Sequence, residues 1–466
     1  MLFSSLSFLY YFLPIVLILY IVSPKKLKNF VILLSSLVFY AWGEPKYVIL
    51  MIISILLGYI FGLLIEKLEK GKLRKFVLIL SIVSGLGMLG YFKYADFFID
   101  NFNKVTGLDV AFLNVALPIG ISFYTFQMLS YELDVWRGDV KAQRNLINLA
   151  AYISMFPQLI AGPIVRYKDV AEQLEQRTHT LEKTAYGIRR FAIGMGKKIL
   201  LANTLGEVAK LFKASNEQTV LFAWIYAIAT TLQIYFDFSG YSDMAIGLGS
   251  IMGFKFPENF NYPLTSKSVT EFWRRWHMTL GGWFRDYLYI PLGGNRVSAL
   301  RWIFNILVVW MATGFWHGAS WNFVLWGLYF AILLVVEKKF IGKFLAKSKV
   351  LNHVYLTLLI LISFVIFDNV DMSQGWQSVL TMFGLGGSSF ASTESIFYLK
   401  DYIIIILIGI VGATSIPKLL VQKLAANETG RKVLSILEPL FIAALFIVCT
   451  SYLVNGSFNP FLYFRF

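Results

Sequence analysis

The sequence predicts an all-α, multi-pass membrane protein, and three observations carry that reading. Hydrophobic residues make up 57% of the chain and charged residues only 15%, with a mean hydropathy of +0.65; a soluble average is roughly 45–50% apolar and about 25% charged. Apolar runs near the length needed to cross a hydrocarbon core, about 20 helical residues, recur along all 466 residues. The basic excess, net +15, gathers between those runs, at Lys25, Lys26 and Lys28 and again at Lys338, Lys339, Lys343, Lys347 and Lys349. That is the positive-inside pattern of a membrane protein and not a nucleic-acid groove. A single cysteine, Cys449, excludes an internal disulfide and a cysteine metal cluster. No metal and no tightly bound cofactor are expected.

Taken in order, Ser4–Val22 has no basic residue before it, lysines after it and no small-x-small cleavage pattern. It reads as a retained first span. Phe30–Trp42, Tyr47–Ile65, Phe76–Phe92, Ala111–Leu129 and Ile147–Ile164 are the next candidate spans. Thr219–Phe236 and Tyr241–Phe256 follow as a pair, separated by an expected re-entrant turn at Gln233–Asp243. Trp302–Val336 has no Asp, Glu, Lys or Arg over 35 residues, about 52 Å of helix and too long for one crossing. A break or hairpin near Gly314–Gly318 resolves it. Tyr355–Phe367, Tyr402–Pro417 and Leu434–Leu453 complete the set. Lys25–Lys28 and Glu66–Lys75, the latter with five basic and two acidic residues, face the cytoplasm and place the N-terminus outside. Residues 166–198 are too polar to span and loop charge puts 267–301 inside, so both read as cytoplasmic, interfacial or re-entrant parts of one membrane domain covering 1–466.

Chemistry points first to histidine, because an imidazole in an uncharged membrane segment is expensive unless paired or used, and it titrates near neutrality. His317 stands in Thr313-Gly314-Phe315-Trp316-His317-Gly318-Ala319-Ser320-Trp321-Asn322. Were that piece one helix, Thr313 and Trp321 would share the face of His317. Either the ring does chemistry, with Trp316 beside it, or it is a polar contact between helices bonded to Asn322 or a carbonyl. His277 belongs to a run from Glu271 to Arg296 in which Trp273, Trp276, Leu280, Trp283, Phe284 and Tyr287 recur at helical spacing. An amphipathic helix is expected there, with His277 about 40° from Trp273 at 100° per residue. Pro291 would stop it and Gly293-Gly294 would turn it. Arg274, Arg285 and Arg296 then line a cytoplasmic mouth, where a guanidinium suits either a nucleotide phosphate of an acyl donor or an anionic lipid headgroup.

Asp237 and Asp243 lie between apolar segments, where carboxylates face protein or a water-filled cavity. Asp237 either receives a bond from Ser239 or Tyr241 or pairs with an arginine of the Arg274–Arg285 region. Gln127, in Pro118–Gln127, and Gln158, in Phe156–Arg166, sit in apolar runs broken by Pro and Gly, which line cavities in membrane proteins or merely kink a bundle. His179 and His353 read as surface or interfacial residues. The chain has no P-loop, dinucleotide glycine fingerprint, zincin motif or nucleophile elbow. Those absences weigh against an ATP-driven transporter and a serine acyltransferase; another multi-pass transporter and a non-enzymatic scaffold stay open.

Phe272–Arg296, Thr313–Asn322 and the closing Asn459–Phe466 resemble the membrane-bound O-acyltransferase family, in its bacterial alginate O-acetylase branch of AlgI- and PatB-like proteins. Tyr235–Asp243, Pro118–Gln127 and Phe156–Arg166 extend the likeness over nearly the whole chain. The resemblance implies a ring of about 11 transmembrane helices, some broken or re-entrant, around a central tunnel in the cytoplasmic membrane. It implies His317 as the essential histidine and His277 as a second active-site residue. It further implies acetyl-CoA as donor, a polysaccharide acceptor, and an extracytoplasmic acetyltransferase partner of SGNH or AlgJ/AlgX type. The teichoic-acid D-alanylation branch is the nearest alternative, and the ending Ile290–Arg296 favours the acetylases over it. Direct transfer and an acyl-histidine intermediate both fit the motifs.

Overall fold

The computed structural model describes residues 3–345 and 347–456, and every regular element among them is helical. The resemblance at Asn459–Phe466 lies outside the described residues. A π-helical turn, Phe8–Phe12, leads into α1 (Leu13–Val22), then α2 (Lys28–Gly43), α3 (Val48–Lys67) and α4 (Lys72–Thr106). Next come α5 (Ile121–Arg137), the short α6 (Leu146–Ser154) and α7 (Phe156–Leu159), α8 (Tyr167–Glu175), α9 (Leu181–Gly196), α10 (Asn203–Ala214) and α11 (Val220–Ile251). Two short helices, α12 (Val269–Arg275) and α13 (Met278–Phe284), precede α14 (Ala299–His317) and α15 (Trp321–Val336). The chain ends through α16 (Gly342–Leu345), α17 (Lys349–Asp368), α18 (Met372–Met382), α19 (Thr393–Gly412), α20 (Ile416–Ala425) and α21 (Glu428–Asn455).

Seven of these, α3, α4, α11, α14, α17, α19 and α21, are long and apolar enough to cross a bilayer, and Phe8–Val22 is a shorter apolar helix. The chain is a multi-pass membrane protein. In α21 only 6% of the apolar window is buried, against 72% in α11. Ile436, Leu437, Leu440, Phe441 and Ile447 accordingly stand exposed on α21. An apolar face of that extent is stable against lipid and not against water.

The chain divides into two compact units. The first holds the residues up to Phe191 together with Ser242–Glu258. In it the Tyr20 hydroxyl donates to the Met252 carbonyl (2.6 Å) and accepts from Arg177 Nε (2.9 Å), while exposed His179 also bonds it (2.9 Å). The second unit holds Ala192–Tyr241 and the residues from Asn259 onward, and contains both candidate histidines.

Several boundaries differ from the sequence expectation for local reasons. The run Ala111–Leu129 becomes helical only at Ile121, because Pro118 and Gly120, the latter at φ +77°, set the start. Ile147–Ile164 is split at Met155, with Pro157 in the first turn of α7. No re-entrant turn occurs at Gln233–Asp243: α11 is continuous through it. Helical hydrogen bonds satisfy its backbone, and both acids find cations elsewhere in their own units. Gly240 marks a close approach instead of a turn, since a Cβ there would press on the Gly194 carbonyl oxygen. Trp302–Val336 does break, at Gly318–Ser320, into the hairpin α14–α15. The two helices touch backbone to backbone, because a Cβ on Gly314 would strike the Phe323 carbonyl and one on Gly327 the Trp310 carbonyl.

Candidate active site

His317 is the last residue of α14, at the mouth of the hairpin turn, and only 5% exposed. Aromatic rings enclose it. Trp316 lies at 5.1 Å between centroids, Trp326 of α15 at 5.2 Å and 82°, and Phe367 of α17 at 5.5 Å and 89°. Edge-to-face packing of this kind holds a ring in one orientation without charge. Because α14 ends at His317, the shared helical face with Trp321 does not form, and Trp321 opens α15 at 52% exposure. Thr313 stays on the hairpin but donates its hydroxyl to the Val309 carbonyl (2.8 Å). Asn322 is fully buried and donates Nδ2 to the Asn369 carbonyl (3.2 Å).

His277 reaches the same neighbourhood by a different route. The expected continuous amphipathic helix is broken at this residue: α12 stops at Arg275, α13 starts at Met278, and His277 itself sits at φ 43°, ψ 52°. A left-handed backbone at a non-glycine residue is strained and needs surrounding structure to hold it. The break turns the imidazole inward, 2% exposed. It packs against Phe238 (4.6 Å, 82°) and against the Trp316 ring (5.7 Å) that also touches His317. His277 lies outside the seven apolar spans. Burial, and secondarily the His317 imidazole, hold its pKa well below the usual histidine value, so its ring is neutral.

Asn259 holds this residue. His277 Nδ1 lies 3.0 Å from Asn259 Oδ1, which also accepts from Thr279 N (3.3 Å) and Thr279 Oγ1 (2.9 Å). The Asn259 main-chain carbonyl accepts from Met278 N (2.9 Å), and Asn261 N donates to the Arg275 carbonyl (2.9 Å). At the other end of α12, the buried Glu337 carboxylate accepts from Val269 N (2.7 Å), Thr270 N (3.2 Å) and Thr270 Oγ1 (2.8 Å). Neither Asn259 nor Glu337 was legible as a functional residue. Asn259 lies between Pro257 and Pro263 in a run of alternating polar and aromatic residues, and only tertiary pairing sets it against His277.

The remaining candidates fall elsewhere. Arg274, Arg285 and Arg296 are exposed, while Trp276, Leu280, Trp283, Phe284 and Tyr287 are buried. Arg285 already pairs with Asp286 (2.7 and 3.1 Å). Pro291 follows the end of the helical run, and Gly293 and Gly294 turn at φ 103° and 58°. Asp237 forms a buried ion pair with Lys198, the two side chains 2% and 3% exposed. Asp243 belongs to the first unit and bonds Arg190 Nε (2.8 Å), whose other nitrogens hold Glu258 (2.8 and 2.6 Å). Gln127 and Gln158, also in the first unit, are fully buried. Both amide ends of Gln127 and the oxygen of Gln158 have no hydrogen bond among the described residues. Trp326 Nε1 and Trp273 Nε1 are likewise buried without an acceptor, and their rings are 5.5 Å apart. No group of three His, Cys, Asp or Glu side chains suited to a metal occurs among the described residues.

Two imidazoles thus pack against one indole in otherwise aromatic surroundings. The segment that builds it lies inside residues 137–376, which match the membrane-bound O-acyltransferase family. The chain is 38% identical to the probable alginate O-acetylase AlgI of Azotobacter vinelandii, over the full length of both. The chain belongs to the membrane-bound O-acyltransferase family. It is also 44% identical to the probable alginate O-acetylase AlgI of Pseudomonas aeruginosa, over 83% of this chain and 75% of that one. Similarity extends, at 33%, to the peptidoglycan O-acetyltransferase of Helicobacter pylori, over 84% of this chain and 81% of that one. Within the family it stands in the AlgI-like branch, and membrane O-acyl transfer is its activity class.

Proposed function

We propose that this acyltransferase takes an acetyl group from acetyl-CoA on the cytoplasmic side and delivers it for O-acetylation of an extracytoplasmic polysaccharide, working with an extracytoplasmic partner of SGNH or AlgJ/AlgX type. The observation that carries the reading is the convergence of His317 and His277 on the Trp316 ring. A helix ring of about 11 crossings around a tunnel, an outside N-terminus, and cytoplasmic or interfacial placement of 166–198 and 267–301 belong to the same proposal. So does one membrane domain formed by both units.

In the proposed reaction His317 takes the proton of the acceptor hydroxyl as its oxygen attacks the thioester carbonyl carbon. Collapse of the tetrahedral intermediate breaks the C–S bond, and the proton passes from His317 to the departing thiolate. His277, neutral, orients the reacting groups. An indole N–H can only donate, so the unaccepted Trp326 and Trp273 donors call for an acceptor oxygen. The developing carbonyl oxyanion beside His317 fits that requirement. Trp326→Phe keeps the ring and removes the donor. Its kcat is expected to fall by roughly 10²–10³ with KM little changed, and a Trp326→Phe enzyme with wild-type kcat in a single-turnover assay would remove Trp326 from this role.

The test uses the purified full chain with acetyl-labelled CoA, with and without the partner recovered by mild crosslinking. Thiol release and acetyl transfer are expected only when the partner or a hydroxyl-bearing segment of it is present. Efficient modification of polymer by the single chain would overturn the two-component reading, and ligand translocation without thioester turnover would overturn the enzyme reading. In the same assay Arg274→Gln, Arg285→Gln and Arg296→Gln report on the donor. A defect with acetyl-CoA that vanishes with a short acetyl thioester assigns the exposed arginines to nucleotide phosphates, and equal defects assign them to lipid or helix placement.

A further inference from the structure

We infer that Asn259 is a positioning residue that locks His277 in the Nδ1–H tautomer and so reserves its Nε2 lone pair for the reacting groups. The inference rests on the proposal that His277 works beside His317. A neutral imidazole carries one N–H, and which nitrogen bears it is decided by the partner of the other. The partner of Nδ1 is the Asn259 Oδ1 atom at 3.0 Å. That atom must be the amide oxygen, because Thr279 N and Thr279 Oγ1 also point donors at it; an amide nitrogen there would face a main-chain N–H. An oxygen acceptor demands a hydrogen on Nδ1. Nε2 is then unprotonated, and it is buried with no hydrogen-bond partner among the described residues. A buried acceptor left without a donor is unfavourable unless a bound group completes it, and a hydroxyl or thiol is a donor of the right kind.

The same asparagine also holds the strained backbone. Its main-chain carbonyl takes Met278 N, next to the left-handed His277, so one residue fixes both the ring and the turn that aims it. The groups facing the imidazole from the elements packed on it are Phe238 and Trp316, which carry no charge, and the His317 imidazole. An amide at position 259 therefore orients the ring without raising its basicity, where a carboxylate would do both.

The experiment uses the full chain in nanodiscs, labelled with 15N-histidine. The chain has only four histidines, and His277→Gln identifies the His277 signals by their loss. Wild-type protein is expected to show His277 with a protonated Nδ1 and a bare Nε2. Asn259→Ala should mix the tautomers and lower kcat by about 10–100-fold, the range typical of residues that orient a functional imidazole, with KM for acetyl-CoA within twofold. Asn259→Asp keeps the oxygen and the shape, so it serves if Asn259→Ala folds poorly. Its carboxylate favours the imidazolium, and the acid limb of the rate profile should move up by about 1–3 pH units. A single unchanged tautomer in Asn259→Ala, an unmoved acid limb in Asn259→Asp, or a tautomer change with unaltered turnover overturns the inference. Wild-type turnover in His277→Gln overturns instead the underlying reading of His277, whatever the Asn259 variants show.

Discussion

His317→Ala and His317→Gln are expected to lower kcat for acetyl transfer by roughly 10²–10⁴, the contribution of a positioned general base, while the protein remains folded in detergent. The imidazole packs edge-to-face among Trp316, Trp326 and Phe367, but the hairpin that carries it is held by the backbone contacts at Gly314 and Gly327. Removing the ring takes away the base without separating α14 from α15. His277→Ala should be the milder of the two, because the proposed proton does not pass through it. Rates with labelled acetyl-CoA, set beside size exclusion and thermal unfolding, check both statements. An equal loss of folded protein in the two variants would identify both rings as packing residues and remove the catalytic reading.

Lys198→Ala is expected to lose about 3–5 kcal/mol of stability, the usual consequence of stranding one member of a buried ion pair. Asp237 would stay 2% exposed in the middle of α11 without the Lys198 ammonium. Replacing both members, Lys198→Met with Asp237→Leu, should return most of the loss, since two apolar side chains of similar volume leave no charge behind. Thermal unfolding in one detergent compares the two variants. If Lys198→Ala unfolds within a degree or two of the wild type, the pair is not what holds α11 to the π-helical turn at Lys197–Ala202.

The fold class was legible because membrane insertion is decided by composition over a window of one helix. Tyr47–Ile65 and Leu434–Leu453 were readable as spans within a few residues of α3 and α21, since every backbone group in lipid must bond within its own helix. Length arithmetic alone placed a break in Trp302–Val336. His317 stood out by the same logic: an ionisable residue in 35 uncharged positions has few innocent explanations.

What failed was each reading that needed a partner distant in sequence. Asp237 suggested a turn because a lone carboxylate disfavours an apolar helix, yet Lys198, 39 residues earlier, neutralises it and lets α11 run through. Helical periodicity placed His277 on the aromatic stripe of one long helix. Asn259, 18 residues away, instead holds the chain in a left-handed kink at that position, an energy that local propensity cannot supply. Trp321 lost its place beside His317 for a smaller reason, the end of α14 at the Gly318 turn. The sequence by itself thus determined that the protein crosses a membrane and roughly where, because burial in lipid is a property of short windows. Only the tertiary structure decided which groups meet His277, which charges cancel, and which nitrogen remains open, because hydrogen bonds and ion pairs depend on distances of about 3 Å between residues that chain order does not bring together.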